Sequence, residues 1–145
     1  MALAEGEAGG DIRWEDPLIP YLQLINLDFR LADGRALRLQ SQLDDGAGFH
    51  GLHLVELETL PVIDAFVDPA TIFRARTLSM LPVGQIEAAE CLQDGIDAKL
   101  EMKLAIAGAV LRVVAGEIHE QDNGSLLVVQ PDESMLLQLN GQRPS

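Results

Sequence analysis

The chain has 145 residues, enough for one domain whose core needs neither disulfides nor a structural metal. Hydrophobic residues make up 48% of it and aromatic ones only 4%, and 23 acidic against 10 basic side chains give a net charge of −13. A surface of that sign repels phosphate backbones and anionic lipid headgroups, so neither nucleic acid nor a membrane surface is an expected partner.

Residues 1–11 are small, acidic and glycine-rich, and are expected to form a disordered tail, with 12–145 as a single β-rich domain. The opening stretch lacks the basic segment and long apolar run of a signal peptide. No later stretch approaches the roughly 18 consecutive apolar residues of a membrane helix. Cys91 stands alone, which rules out an intramolecular disulfide and fits a reducing compartment. A cytoplasmic protein is expected.

Pro17 and Pro20 discourage helix in the lead-in. After them the dominant period is two. Ile25, Leu27, Phe29 and Leu31 alternate with Asn26, Asp28 and Arg30, and Leu37 and Leu39 alternate with Arg38 and Gln40. This is the pattern of half-buried strands joined by a turn. With Ala32-Asp33-Gly34 as a three-residue loop and Gly34 left-handed, Phe29 faces Leu37, Leu27 faces Leu39, and Asp28 faces Arg38. A two-residue Asp-Gly turn would set Phe29 against Arg38, so side-chain matching selects the longer loop.

Between 59 and 84 the alternation lapses. Asp68 as N-cap and Pro69 as first helical residue predict one short helix in this connector. A second hairpin is expected around Gln93-Asp94-Gly95, pairing Leu92 with Ile96, Ala88 with Leu100 and Ile86 with Met102. That register turns Glu90 inward beside Ala98. Val110, Leu111, Val113 and Val114 occupy both parities, as in a central strand buried on both faces. Gly116 marks a bulge. "DNG" at 122–124 closes a third hairpin and "PDES" at 131–134 turns the chain into "MLLQL". The fold expected is all-β, or a β-rich α+β variant: an antiparallel meander closing into a sandwich or barrel of about eight strands.

The candidate functional residues are few. Glu117 and His119, two apart on a strand, share a face. His119 falls opposite Val128 if the turn has two residues and opposite Leu127 if it has three, an apolar neighbour either way. His50 and His53, three apart, point to opposite faces of a regular strand unless Gly51 introduces a bulge. A metal set of His119, Glu117 and one of these histidines would depend on that bulge, since catalytic zinc takes about three protein ligands. Glu90, turned inward, is a candidate base. Cys91 has no basic neighbour to activate it, and no phosphate-cradling glycine motif occurs. Glu117, His119, Glu90, His50 and His53 are therefore binding candidates. No residue is assigned to catalysis, no metal ligand set is assigned, and no cofactor is expected.

The expected function is a small acidic, non-catalytic binding protein that engages a protein partner, a basic one gaining most from electrostatic steering; an immunity or antitoxin-like role is one form. The alternatives are a metal-dependent enzyme using His119 and Glu117, and a carrier of a small apolar ligand between sheets. The very apolar segment 104–115 also raises self-association as a homodimer.

Overall fold

The computed structural model describes residues 2–7, 19–44, 49–59, 73–94 and 98–144. Among them twelve strands form: β1 (Ala2–Glu7), β2 (Leu22–Leu24), β3 (Asn26–Arg30), β4 (Ala36–Asp44), β5 (Phe49–Leu57), β6 (Phe73–Thr77), β7 (Ile86–Asp94), β8 (Ala98–Ile106), β9 (Ala109–Ala115), β10 (Glu117–Glu120), β11 (Leu126–Val129) and β12 (Met135–Leu139). The fold is all-β and sandwich-like. One sheet runs β5-β4-β3-β1-β6, a second runs β2-β12-β9-β8-β7, and β10–β11 pair as a separate hairpin. Among the described residues the strand ladders are antiparallel. No helix among the described residues is long and apolar enough to cross a membrane.

The first hairpin follows its side-chain pattern. Leu27 pairs with Leu39, Asp28 with Arg38 and Phe29 with Leu37. Gly34 has a φ of 92°, and the loop is closed by the Leu31 amide donating to the Arg35 carbonyl at 2.9 Å. Leu27 and Leu39 face the core, so Asp28 and Arg38 lie on the other face. There Arg38 Nε and Nη2 donate to the two Asp28 carboxylate oxygens at 2.7 and 2.8 Å, and Asn26 Nδ2 donates to Oδ1 at 3.3 Å. Asp28 is buried, so this bidentate pair holds a charge that water does not reach.

The core lies between the two large sheets. Leu27, Leu39 and Leu52 come from one, and Leu24, Leu111, Val113, Met135 and Leu137 from the other. A second cluster covers the back of the β12–β9 sheet: Val114 and Leu136 meet Ile19 and Ile118, with Leu126 and Val128 against them. β9 and β12 are thus covered on both faces, as their two-parity apolar sequence requires.

Four expectations need correction. Ala2–Glu7 lies inside the stretch expected to be a disordered tail, yet it forms a strand between β3 and β6. Its small residues say little on their own; ladder hydrogen bonds from two neighbours supply the order. The helix start at Asp68–Pro69 lies outside the described residues, but Phe73–Thr77, which follows it, is strand paired to β1. Within the 59–84 connector, where the alternation lapses, the ladder from β1 supplies a strand. The strands exceed the expected number because β1 and β6 form where none was expected, and because two runs are each split in two, at Ile25 into β2 and β3 and at Gly116 into β9 and β10.

The fourth correction concerns the β7–β8 register. Ile86 pairs with Ile106, Glu90 with Lys103, Cys91 with Met102 and Leu92 with Glu101, with irregularities at Ile86/Ala88 and Leu92/Gln93. This longer hairpin sets opposite charges side by side, where the expected register left Glu90 facing Ala98. Glu90 is exposed, not turned inward.

Gly116 stands where the chain leaves β9 for β10. A Cβ there would lie 2.9 Å from the Val129 carbonyl oxygen and 3.0 Å from Leu136 Cδ1. Gly116→Ala is therefore expected to destabilise the protein by about 1–3 kcal/mol in urea unfolding, because a backbone atom has to move. Arg38→Met is expected to cost about 3 kcal/mol by stranding the Asp28 charge. Adding Asp28→Leu to Arg38→Met should recover much of that loss in the same assay.

Candidate functional site: a carboxylate–imidazole cluster

β10 and β11 form a hairpin closed by Asp122-Asn123-Gly124. Gly124 has a φ of 81°, and the Gln121 amide donates to the Ser125 carbonyl at 2.8 Å. The three-residue loop sets Glu117 opposite Val129, Ile118 opposite Val128 and His119 opposite Leu127. Ile118 and Val128 pack on Val114 and Leu136. Alternation along the strand then puts Glu117 and His119 on the other face of the hairpin. The Ile118 amide donates to Gln23 Oε1 at 2.8 Å, tying the hairpin to β2.

The residues after Val129 bring a third group to that face. His119 Nε2 lies 2.9 Å from Asp132 Oδ2 and 3.4 Å from Glu117 Oε2. One ligating atom from each of Glu117, His119 and Asp132 lies within 4.8 Å of the others. Asp132 is held from two directions. Its Oδ1 accepts the Glu133 amide at 2.7 Å, and its carbonyl accepts the Ser41 hydroxyl at 2.6 Å, which anchors the turn to β4. Two residues along, the Ser134 hydroxyl oxygen is fully buried and has no protein partner.

The two carboxyl groups are unlike each other. Burial raises the Glu117 carboxyl above its ordinary value, and the Asp132 and Glu133 carboxylates push the same way. Burial also pushes Asp132 upward, but the Glu133 amide and then the His119 imidazole outweigh it and leave Asp132 lowered.

The other candidates lie outside this cluster. His50 pairs with Leu43 and His53 with Gln40 in a β4–β5 ladder that runs unbroken through Gly51, so the two histidines occupy opposite faces. Glu90 sits on β7 opposite Lys103. Asp132 is the residue that reasoning from the sequence missed. A signal existed: once Glu117 is opposite Val129, the next few residues must pass beside Glu117. Strand periodicity does not fix the path of a turn, however.

The sandwich also has an apolar cleft at one end, lined by Phe29, Leu81, Val83, Ile86, Met102 and Leu104 among others, with a volume of about 120 Å³. Ligand pockets usually span about 300–1,000 Å³, so the cleft offers little room to a carrier's cargo. β7, at the edge of the second sheet, is different again. Every residue from Val83 to Leu92 is exposed. Ile86 and Leu92 are exposed apolar side chains, with Glu87 and Glu90 between them.

The two carboxyls predict opposite pH effects. A raised folded-state value means that Glu117 favours the fold while protonated; this contribution is complete below 4.5 and fades as pH rises through the raised value. Asp132 stabilises above 3.8, and that contribution is lost as pH falls through its lowered value. In buffer with a chelator at pH 7, Glu117→Gln is expected to maintain or raise stability and Asp132→Asn to lower it. Each effect should be below about 1 kcal/mol because the site is partly open to water. Urea melts at pH 7 and pH 3 check this; the Asp132→Asn deficit should shrink at the lower pH.

The chain matches no family model, no curated protein and no solved structure.

Proposed function

We propose that the protein is a non-catalytic binding module that captures an extended, cationic segment of another protein along β7. The carrying observation is the edge strand β7, exposed from Ile86 to Leu92, with Ile86 and Leu92 as apolar anchors and Glu87 and Glu90 as charges. An edge strand offers unpaired amides and carbonyls to an added strand, and alternate side chains give such an addition its selectivity.

The charges select the occupant. A second copy of the chain would bring its own −13 to the edge. Glu87 and Glu90 also act against strand-to-strand pairing between copies, as does the irregularity at Ile86/Ala88, where β7 carries an extra residue. The same groups attract lysines and arginines and speed their encounter. A cytoplasmic setting, with Cys91 reduced, agrees with this reading.

The test uses a fluorescein-labelled peptide of alternating lysine and valine, followed by fluorescence anisotropy. Binding is expected to weaken as ionic strength rises from about 0.05 to about 0.5 M. The double variant Glu87→Lys with Glu90→Lys should lose about tenfold in affinity, or ~1.4 kcal/mol. A charge-matched control, Glu120→Lys with Asp122→Lys on the distant hairpin, should bind as the parent does. Equal losses from both pairs would mean attraction to net charge alone and would overturn the assignment to β7. So would a dimeric mass in light scattering that Leu92→Lys abolishes, since β7 would then belong to self-association.

A further inference from the structure

We propose that Glu117, His119 and Asp132 form a binding site for a divalent transition-metal ion of the zinc class, independent of the β7 edge. Both carboxylates approach the same imidazole nitrogen: Nε2 is 2.9 Å from Asp132 and 3.4 Å from Glu117. A histidine that merely bridges two acids does so through its two ring nitrogens, because a single N–H points at one acceptor. Three ligating atoms gathered around one point have the arrangement of donors around an ion.

The two spacings at the imidazole nitrogen suit an ion. Zinc–nitrogen and zinc–oxygen bonds of about 2.0–2.1 Å in a tetrahedron put neighbouring donors about 3.3 Å apart. The Glu117 contact is already at that spacing, and the Asp132 contact needs to open by only a few tenths of an ångström. The donors are an imidazole nitrogen and two carboxylate oxygens, a set that suits zinc.

The surroundings are those of a supported site. Asp132 is held by the Glu133 amide on its free carboxylate oxygen and by Ser41 on its carbonyl. Such contacts to a ligand residue set its orientation before the ion arrives. His119 is 47% exposed along its side chain, so an ion has a way in. Two carboxylates facing each other in a chain of net charge −13 repel, and a dication removes that repulsion. Three protein ligands leave a fourth position to water or to an outside ligand. Because Glu117 and His119 belong to β10 while Asp132 belongs to the turn before β12, the ion would clamp the hairpin to that turn.

The test is titration of the metal-free protein with Zn²⁺ by calorimetry and with Co²⁺ by visible absorption. Saturable 1:1 binding is expected, with cobalt bands of a nitrogen–oxygen site and a melting temperature that climbs with Zn²⁺ concentration. His119→Ala should weaken Zn²⁺ binding at least about a hundredfold. Glu117→Gln with Asp132→Asn should do the same and abolish the melting shift. His50→Ala with His53→Ala should leave binding intact. Absence of a saturable site would overturn the proposal. Retention of full affinity in His119→Ala, or its loss in the His50/His53 variant, would overturn it as well. Both faces of this test survive a fold defect, because each variant's urea midpoint in chelator is measured alongside.

Discussion

The molecule depends on the burial of β9 and β12 on both faces. Met135 and Leu137 point into the space between the large sheets, and Leu136 and Val114 point the other way. An apolar face left in water forfeits roughly 1.5–3 kcal/mol for each large side chain. Something has to cover Leu136 and Val114, and the β10–β11 hairpin does so with Ile118, Leu126 and Val128. The hairpin cannot cover them without turning its other face outward. Glu117 and His119 stand on that face. The chemistry of the cluster is thus a consequence of a packing demand on the strands before and after it.

Two residues make the geometry of this cover workable. Gly116 lets the chain pass against the Val129 carbonyl and Leu136 with no side chain in the way. Gln23 sits on β2 opposite Leu136 and accepts the Ile118 amide, so an otherwise buried donor is satisfied as the hairpin docks. At the other end the turn after β11 is tied to the first sheet by Ser41. Together these contacts link the hairpin to both sheets and hold Asp132 in the position where it meets His119.

The uncovered edge at β7 is the converse case. There no sheet, hairpin or loop among the described residues hides the strand, and both parities are exposed. Charges on such an edge discourage like-with-like pairing. They carry no comparable penalty toward a cationic strand. In the proposed reading, the acidity spread over the chain would act locally at β7 as a filter on what can add to the sheet.

Much of the architecture was readable in advance, for physical reasons. Alternation forces strands, and cross-strand matching selected the three-residue loop at Gly34, the Asp28–Arg38 pairing and the Leu27–Leu39 contact, each as observed. The two-parity run in β9 announced a strand covered on both sides. The sheet change at Ile25 left a trace, since the leucines that enter the core shift parity between Leu24 and Leu27. Local matching failed for β7–β8, where two registers both place apolar residues together and the longer ladder also pairs Glu90 with Lys103. Asp132 joining Glu117 and His119, and β7 lying uncovered, had no local signal strong enough to read. A residue's immediate neighbours dictate whether it is strand and which way it faces. Which distant face comes to rest against it is set by the packing of whole sheets, and no window of sequence contains that packing.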